Sequence, residues 1–186
     1  MKNCIIYFLG LYSLLAISSC KKTHTNTTDP NNIAGLPPAT QIGANTFGCL
    51  VNGVPWLPDG HGGSIPNLSI DYDSGFNNGI FGITAYRKTA TENTYIALGI
   101  NDSIRLISAP YKFSIGYNLR GGAYYNDVVY CERMTNTVTH YSKGSITINK
   151  LDRVNQIISG VFECVLYSSF CGDTIKITNG RFDFKF

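Results

Sequence analysis

No window of ten or more residues carries the 3.6-residue apolar repeat of an amphipathic helix, and runs of Ala, Leu, Glu or Lys are few. A helical fold is therefore excluded. No basic cluster is present, and 15 Lys+Arg against 12 Asp+Glu leave a net charge of only +3, so a nucleic-acid partner is not expected. The motif G-x-S-x-G is missing, and with it the strained turn that presents a hydrolase serine. C-x-x-C and His-x-His spacings are missing too, which argues against a metal site. No internal repeat occurs, and neither metal nor cofactor is expected.

What the chain has is strand chemistry: 19 Gly, 12 Tyr and 10 Phe, with alternation at period two along most of its length. Phe47, Cys49 and Val51 alternate with polar or small neighbours, and Asn52-Gly53 follows as a turn. Val54 to Pro58 contains two prolines and reads as a strand end or edge. Leu68, Ile70 and Tyr72 share one face, and Ser69, Asp71 and Asp73 the other. Further strands are expected at 80–87, 95–100, 111–118 (Phe113, Ile115 and Tyr117 inward) and 123–130. Segments 137–141 and 144–150 are expected to pair around a Ser142-Lys143-Gly144 turn. The run 156–167 puts Phe162, Cys164 and Leu166 on one face. After it, Ile175 and Ile177 point inward, Asn179-Gly180 reads as a turn, and Arg181 to Phe186 alternates charge with phenylalanine, the charges facing water. About ten strands with short Gly/Asn turns predict an all-β fold, an antiparallel β-sandwich, with a β-barrel as the alternative.

The N-terminus is different. Met1-Lys2-Asn3 is followed by an uncharged, nearly all-apolar run from Cys4 to Ile17. The run is short for a ~30 Å hydrocarbon core and lacks a stop-transfer pattern, so it reads as the apolar region of an export signal. Ile17-Ser18-Ser19-Cys20 resembles the bacterial lipobox, in which the cysteine thiol takes the diacylglycerol. Residues 1–19 are then a lipoprotein signal peptide and Cys20 the lipidated first residue. Ordinary cleavage after Ala16-x-Ser18, or a retained membrane anchor, are the competing readings. Each buried methylene adds ~0.8 kcal/mol of membrane affinity, so three acyl chains hold the protein in place. Residues 20–45, rich in Thr, Asn and Pro with few large apolar side chains, read as a flexible lipidated spacer. A single all-β domain fills 46–186. Lys21 after the lipidated cysteine makes the outer membrane the expected location, periplasmic or surface-exposed.

Of six cysteines, Cys4 leaves with the signal and Cys20 is acylated. Cys49, Cys131, Cys164 and Cys171 remain as disulfide candidates in an oxidising compartment, with all three pairings open.

Other chemistries have ordinary explanations beside them. Asp71 and Asp73 lie about 7 Å apart on one strand face, by two residues of ~3.3 Å. That suits a glycosidase pair and equally a solvated face. Asp71-x-Asp73-x-Gly75-x-Asn77-Asn78-Gly79 could hold calcium but lacks the EF-hand spacing and terminal Glu, and an Asx/Gly turn is the plainer reading. His140 beside a cysteine suits nucleophilic catalysis less well than a strand face. Tyrosines crowd one region, and Tyr117, Tyr124, Tyr125 and Tyr130 are candidates for an aromatic face that stacks on sugar rings or anchors a protein.

The stretches Thr46–Pro58, Ile146–Asp152, Ile158–Glu163 and Cys171–Asp183, with Phe47-Gly48-Cys49-Leu50-Val51-Asn52-Gly53 and Ile177-Thr178-Asn179-Gly180-Arg181-Phe182-Asp183 as their cores, resemble a family of Bacteroidota lipoproteins of unknown function. They cover roughly the first and last quarters of the domain. The resemblance implies an all-β domain in a Bacteroidota cell envelope and brings no activity with it. In that setting Asp102-Ser103-Ile104 and Asp173-Thr174-Ile175 look like O-glycosylation sites, Ser103 being the candidate. The expectation for function is a non-enzymatic binding or interaction module, anchored to the membrane by its lipid, with a glycan or an envelope protein as partner. A carbohydrate-active hydrolase and an apolar-ligand carrier are the alternatives.

Overall fold

The computed structural model describes residues 32–60, 66–127, 133–134 (backbone only) and 142–186. Cys20, Tyr130, Cys131, His140 and the expected 137–141 strand lie outside the described residues. Among the described residues eleven strands form: β1 Thr46–Val51, β2 Val54–Trp56, β3 Leu68–Asp73, β4 Ile80–Lys88, β5 Asn93–Ile100, β6 Tyr111–Ile115, β7 Gly121–Asn126, β8 Arg133–Met134, β9 Ser142–Asp152, β10 Ile157–Ser168 and β11 Asp173–Lys185. They make one sheet in the order β2-β1-β11-β10-β9-β6-β7-β5-β4-β3, with β8 paired to β7.

The sheet folds over on itself, and the two halves meet through side chains. Phe81 of β4 lies 5.7 Å from Phe182 of β11, and Tyr72 of β3 lies 4.4 Å from Phe186, ring centre to ring centre. Trp56 Nε1 of β2 donates to Thr94 Oγ1 of β5 at 2.8 Å. The fold is thus all-β and sandwich-like. Two features differ from the expectation. The sheet is mixed, since β6 and β7 meet in a parallel pairing at Ile115 and Gly121. It is also open, with β2 and β3 as its edges, so the barrel alternative does not hold. Just past β2, Asp59 bridges to Arg87 of β4, tying that edge to the other half.

β11 shows how the sequence sets the faces. Ile175 and Ile177, at odd positions, are buried, and so are Phe182 and Phe184, at even ones. The parity changes at Asn179-Gly180, where pairing with both β1 and β10 slips by one residue. The dipeptide is therefore a β-bulge inside a 13-residue strand, not the expected turn. Without the extra residue the three terminal phenylalanines would face outward. Gly180 is required for packing too, because a Cβ there would sit 2.5 Å from the Phe162 ring. Ser142-Lys143-Gly144, also expected to turn, is the start of β9, paired with Cys164 to Leu166 of β10.

Of the charges on the outer face of β11, Lys185 faces water as expected, but Arg181 and Asp183 do not. Asp183 is 1% exposed and Arg181 6%. The end of the expected spacer covers them. Thr40 Oγ1 donates to Asp183 Oδ2 at 2.6 Å, the N–H groups of Ile42 and Ala44 to the same oxygen at 3.0 and 3.2 Å, and that of Gly43 to Oδ1 at 2.8 Å. Arg181 donates to the carbonyls of Asn179 and Pro37. Pro37 itself sits where a Cβ on Gly48 would be, 2.7 Å away. Residues 37–45 are thus an arm docked on the sheet, held by a buried carboxylate. Burial pushes the Asp183 carboxyl up, but the hydrogen bonds from Thr40, Ile42, Gly43 and Ala44 outweigh it and hold it below the usual carboxylate range.

Candidate functional site

The outer face of β3, β4, β5 and β7 carries an unusual row. Asp71 pairs with Gly82, Gly82 with Gly99, and Gly99 with Gly122, so three glycines lie side by side on neighbouring strands. None of the three has a positive φ. At Gly82 and Gly99 a Cβ would meet nothing nearer than 3.9 Å. Neither backbone conformation nor internal packing asks for glycine there, and glycine inside a strand costs about 0.5–1 kcal/mol relative to alanine. The row forms a trough one side chain deep, of the kind found where another molecule approaches the backbone closely.

On one side the adjacent row is Thr84, Ala97 and Tyr124, and Tyr86 and Tyr95 lie one row further out. Tyr86 and Tyr95 face each other across β4 and β5 with ring centres 4.6 Å apart, and Tyr124 of β7 meets Tyr95 edge-on at 5.2 Å. All three are half-buried. Burial, with Tyr95 beside it, pushes the Tyr86 hydroxyl up, so it remains a neutral donor at physiological pH.

The other side opens into two adjoining hollows, of about 270 and 590 Å³. Gly99, Gly122, Tyr117 and Asn118 line the first, and Asn77, Asn78, Asn101 and Arg120 the second. The loops that build them are tied together. Asn101 N–H donates to Arg120 O, Ser103 N–H to Asn77 O and Ile104 N–H to Gly79 O. Gly79, at φ +103°, admits this close approach, since a Cβ would lie 2.8 Å from Arg105 N. Asn77, Asn78, Ser103 and Asn118 all adopt positive φ, a conformation asparagine tolerates better than most residues. The side-chain amides of Asn101 and Asn118 make no hydrogen bond among the described residues. Asp102 is the one carboxylate among the lining residues, and it is engaged by Ser103 Oγ at 2.6 Å and Arg120 Nε at 3.5 Å.

The candidates from sequence separate accordingly. Tyr117, expected inward after Phe113 and Ile115, points outward and is 48% exposed, because β6 ends at Ile115. Tyr124 borders the glycine row two residues along from Gly122 and meets Tyr95 edge-on. Tyr125 is buried in the core, because successive strand residues alternate faces, and it leaves the candidate surface. Tyr86, Tyr95, Asn101 and Asn118 were not singled out from sequence, and Asn77 and Asn78 only as part of a possible calcium loop. The asparagines carried a turn signal, and only the fold shows that three separate turns meet. Ser103 is not an accessible acceptor: it is 7% exposed, with its hydroxyl donated to Asp102. Thr174, the second such site, is exposed on β11. Asp71 and Asp73 share the solvent face of edge strand β3, and Asp73 Oδ1 accepts the N–H groups of Gly75 and Phe76 as an Asx turn.

The cysteine expectation needs correction at two positions. Cys49 and Cys164 are free thiols buried in the core. They sit on β1 and β10, which flank β11, so two strand spacings of ~4.8 Å separate their backbones, beyond the reach of a disulfide. Burial, then the neighbouring Cys164, pushes the Cys49 thiol far up; burial, then Glu163, pushes Cys164 up to about 12. Cys171 is disulfide-bonded, to a partner outside the described residues.

No family model, curated protein or solved structure matches the chain.

Proposed function

We propose that the chain is a lipid-anchored protein of the outer membrane that binds a glycan without transforming it, through the glycine-floored trough and the amide-lined hollows beside it. The apolar leader ending in Ile17-Ser18-Ser19-Cys20 supports the anchor. The observation that carries the binding reading is the in-register row Gly82-Gly99-Gly122, bordered by Tyr124 on one side and by free asparagine amides on the other. A sugar ring offers a flat C–H face and a rim of hydroxyls. Tyrosine rings take the first, and amides, which both donate and accept, take the second. The trough is open and shallow, as a chain of sugars requires.

A hydrolase needs two carboxylates facing each other across the substrate, whereas Asp71 and Asp73 lie side by side on edge strand β3 at one end of the row, and Asp102 in the hollows is already paired. A carrier of apolar molecules needs an interior space, and between the layers ring packs on ring. The test is a glycan array probed with the full chain in detergent, beside Tyr117→Ala and Asn118→Ala. The expected result is binding to at least one polysaccharide, weakened tenfold or more in both variants. Silence across the array would overturn the glycan reading in favour of an envelope protein as partner.

A further inference from the structure

A separate hollow of about 560 Å³ lies on the opposite layer, between the docked arm and the outer face of β6, β9, β10 and β11. Its volume is in the range of small-molecule sites. Ala39 and Gln41 of the arm form its rim, so the Asp183 latch also completes this cavity. The sheet register lays out its charges. Lys112, Thr147, Val161 and Arg181 form one row across the four strands. Ser114, Ser145 and Glu163 form the adjacent row, two residues along. The hollow therefore has two cations three strands apart in one row and an acid in the next row, about 7 Å further along the strands.

Lys112 and Glu163 face the same space, yet neither makes an ion pair or hydrogen bond among the described residues. Arg181 is fixed in the wall by the Asn179 and Pro37 carbonyls, and its guanidinium keeps its charge at any accessible pH. Ser145 and Thr147 are the polar side chains of β9 in the two charged rows, and Asn149 lies beyond the cation row. Opposite charges held apart around a polar floor complement a molecule that carries both signs.

We propose that this hollow binds a short peptide with free ends, its carboxylate between Lys112 and Arg181 and its ammonium at Glu163. An extended dipeptide spans about 7 Å, which matches the distance between the rows. Its amide finds partners in Ser145 and Thr147. The site stands independently of the glycan reading, since it shares no residue with the trough.

The test is calorimetric titration of the full chain in detergent with alanyl-alanine, its C-terminal amide and its N-acetyl form. The free dipeptide is expected to bind, and each capped form at least about tenfold more weakly. In Lys112→Gln amidation should no longer matter while acetylation still does; in Glu163→Gln the reverse should hold. Both side chains are exposed, so both variants should melt with the wild type. Absence of binding by the free dipeptide at millimolar concentration, equal binding of the capped forms, or variants that keep both discriminations would each overturn the assignment.

Discussion

Replacing Asp183 by Asn tests how the arm is held. Three of the four hydrogen bonds converge on Oδ2, and the fourth reaches Oδ1. An asparagine can turn its oxygen toward the three donors, but its NH₂ then opposes the N–H of Gly43. Hydrogen bonds to a charged acceptor contribute about 1.5–3 kcal/mol each and neutral ones nearer 1. The loss is limited, because a released arm hydrates its own amides. Roughly 3 kcal/mol follows, a drop in melting temperature of about 10 °C for a domain of this size. The pH dependence has a definite sign. The folded carboxyl titrates below its unfolded value of ~3.9. Its contribution is therefore complete above about pH 4 and is lost as pH falls through the folded value. Calorimetry of wild type and variant should show a constant gap from pH 8 to pH 5 that closes only below about pH 4. A gap that narrows between pH 7 and pH 5, or persists undiminished in strong acid, refutes the reasoning.

Other outcomes can be checked separately. Cys49 and Cys164 should resist iodoacetamide at pH 8 in the native protein and both react after denaturation, as read by intact mass, because burial keeps them protonated. Gly180→Ala should cost about 1–3 kcal/mol by forcing Phe162 aside. Gly99→Ala should leave stability unchanged or raise it by about 0.5–1 kcal/mol, and denaturant melts of the two variants side by side decide whether the glycines differ in role. Metabolic palmitate should label the wild type and not Cys20→Ala; an unlabelled wild type contradicts the anchor.

The sequence carried the strands well and their partners poorly. Alternation in 68–73 and 157–168 reports which face is apolar, and the structure keeps those faces. Asn179-Gly180 misled because positive φ serves a bulge as readily as a hairpin, and local pattern does not say whether the chain reverses. Arg181 and Asp183 read as solvent-facing because alternation locates the core-facing side only; what covers the other side is set 140 residues away by Thr40 to Ala44. The site was legible in fragments. Tyr117 and Tyr124 were visible as aromatics. The glycines of β4, β5 and β7 acquire meaning only through register, when three isolated residues become one row. Cys49 and Cys164 stood among four disulfide candidates on compartment alone; both are free, buried thiols, and strand order keeps them from each other.

The most direct test of the account fills the trough. Gly82 and Gly99 have open space above them, so the double substitution Gly82→Val/Gly99→Val places side chains on the floor in residues that favour strands. The measurement is affinity, by titration, for whichever polysaccharide the wild-type chain binds, with melting temperature recorded in parallel. The account predicts a melting temperature no lower than wild type and a tenfold or greater loss of affinity. Undiminished affinity in the filled variant would contradict it.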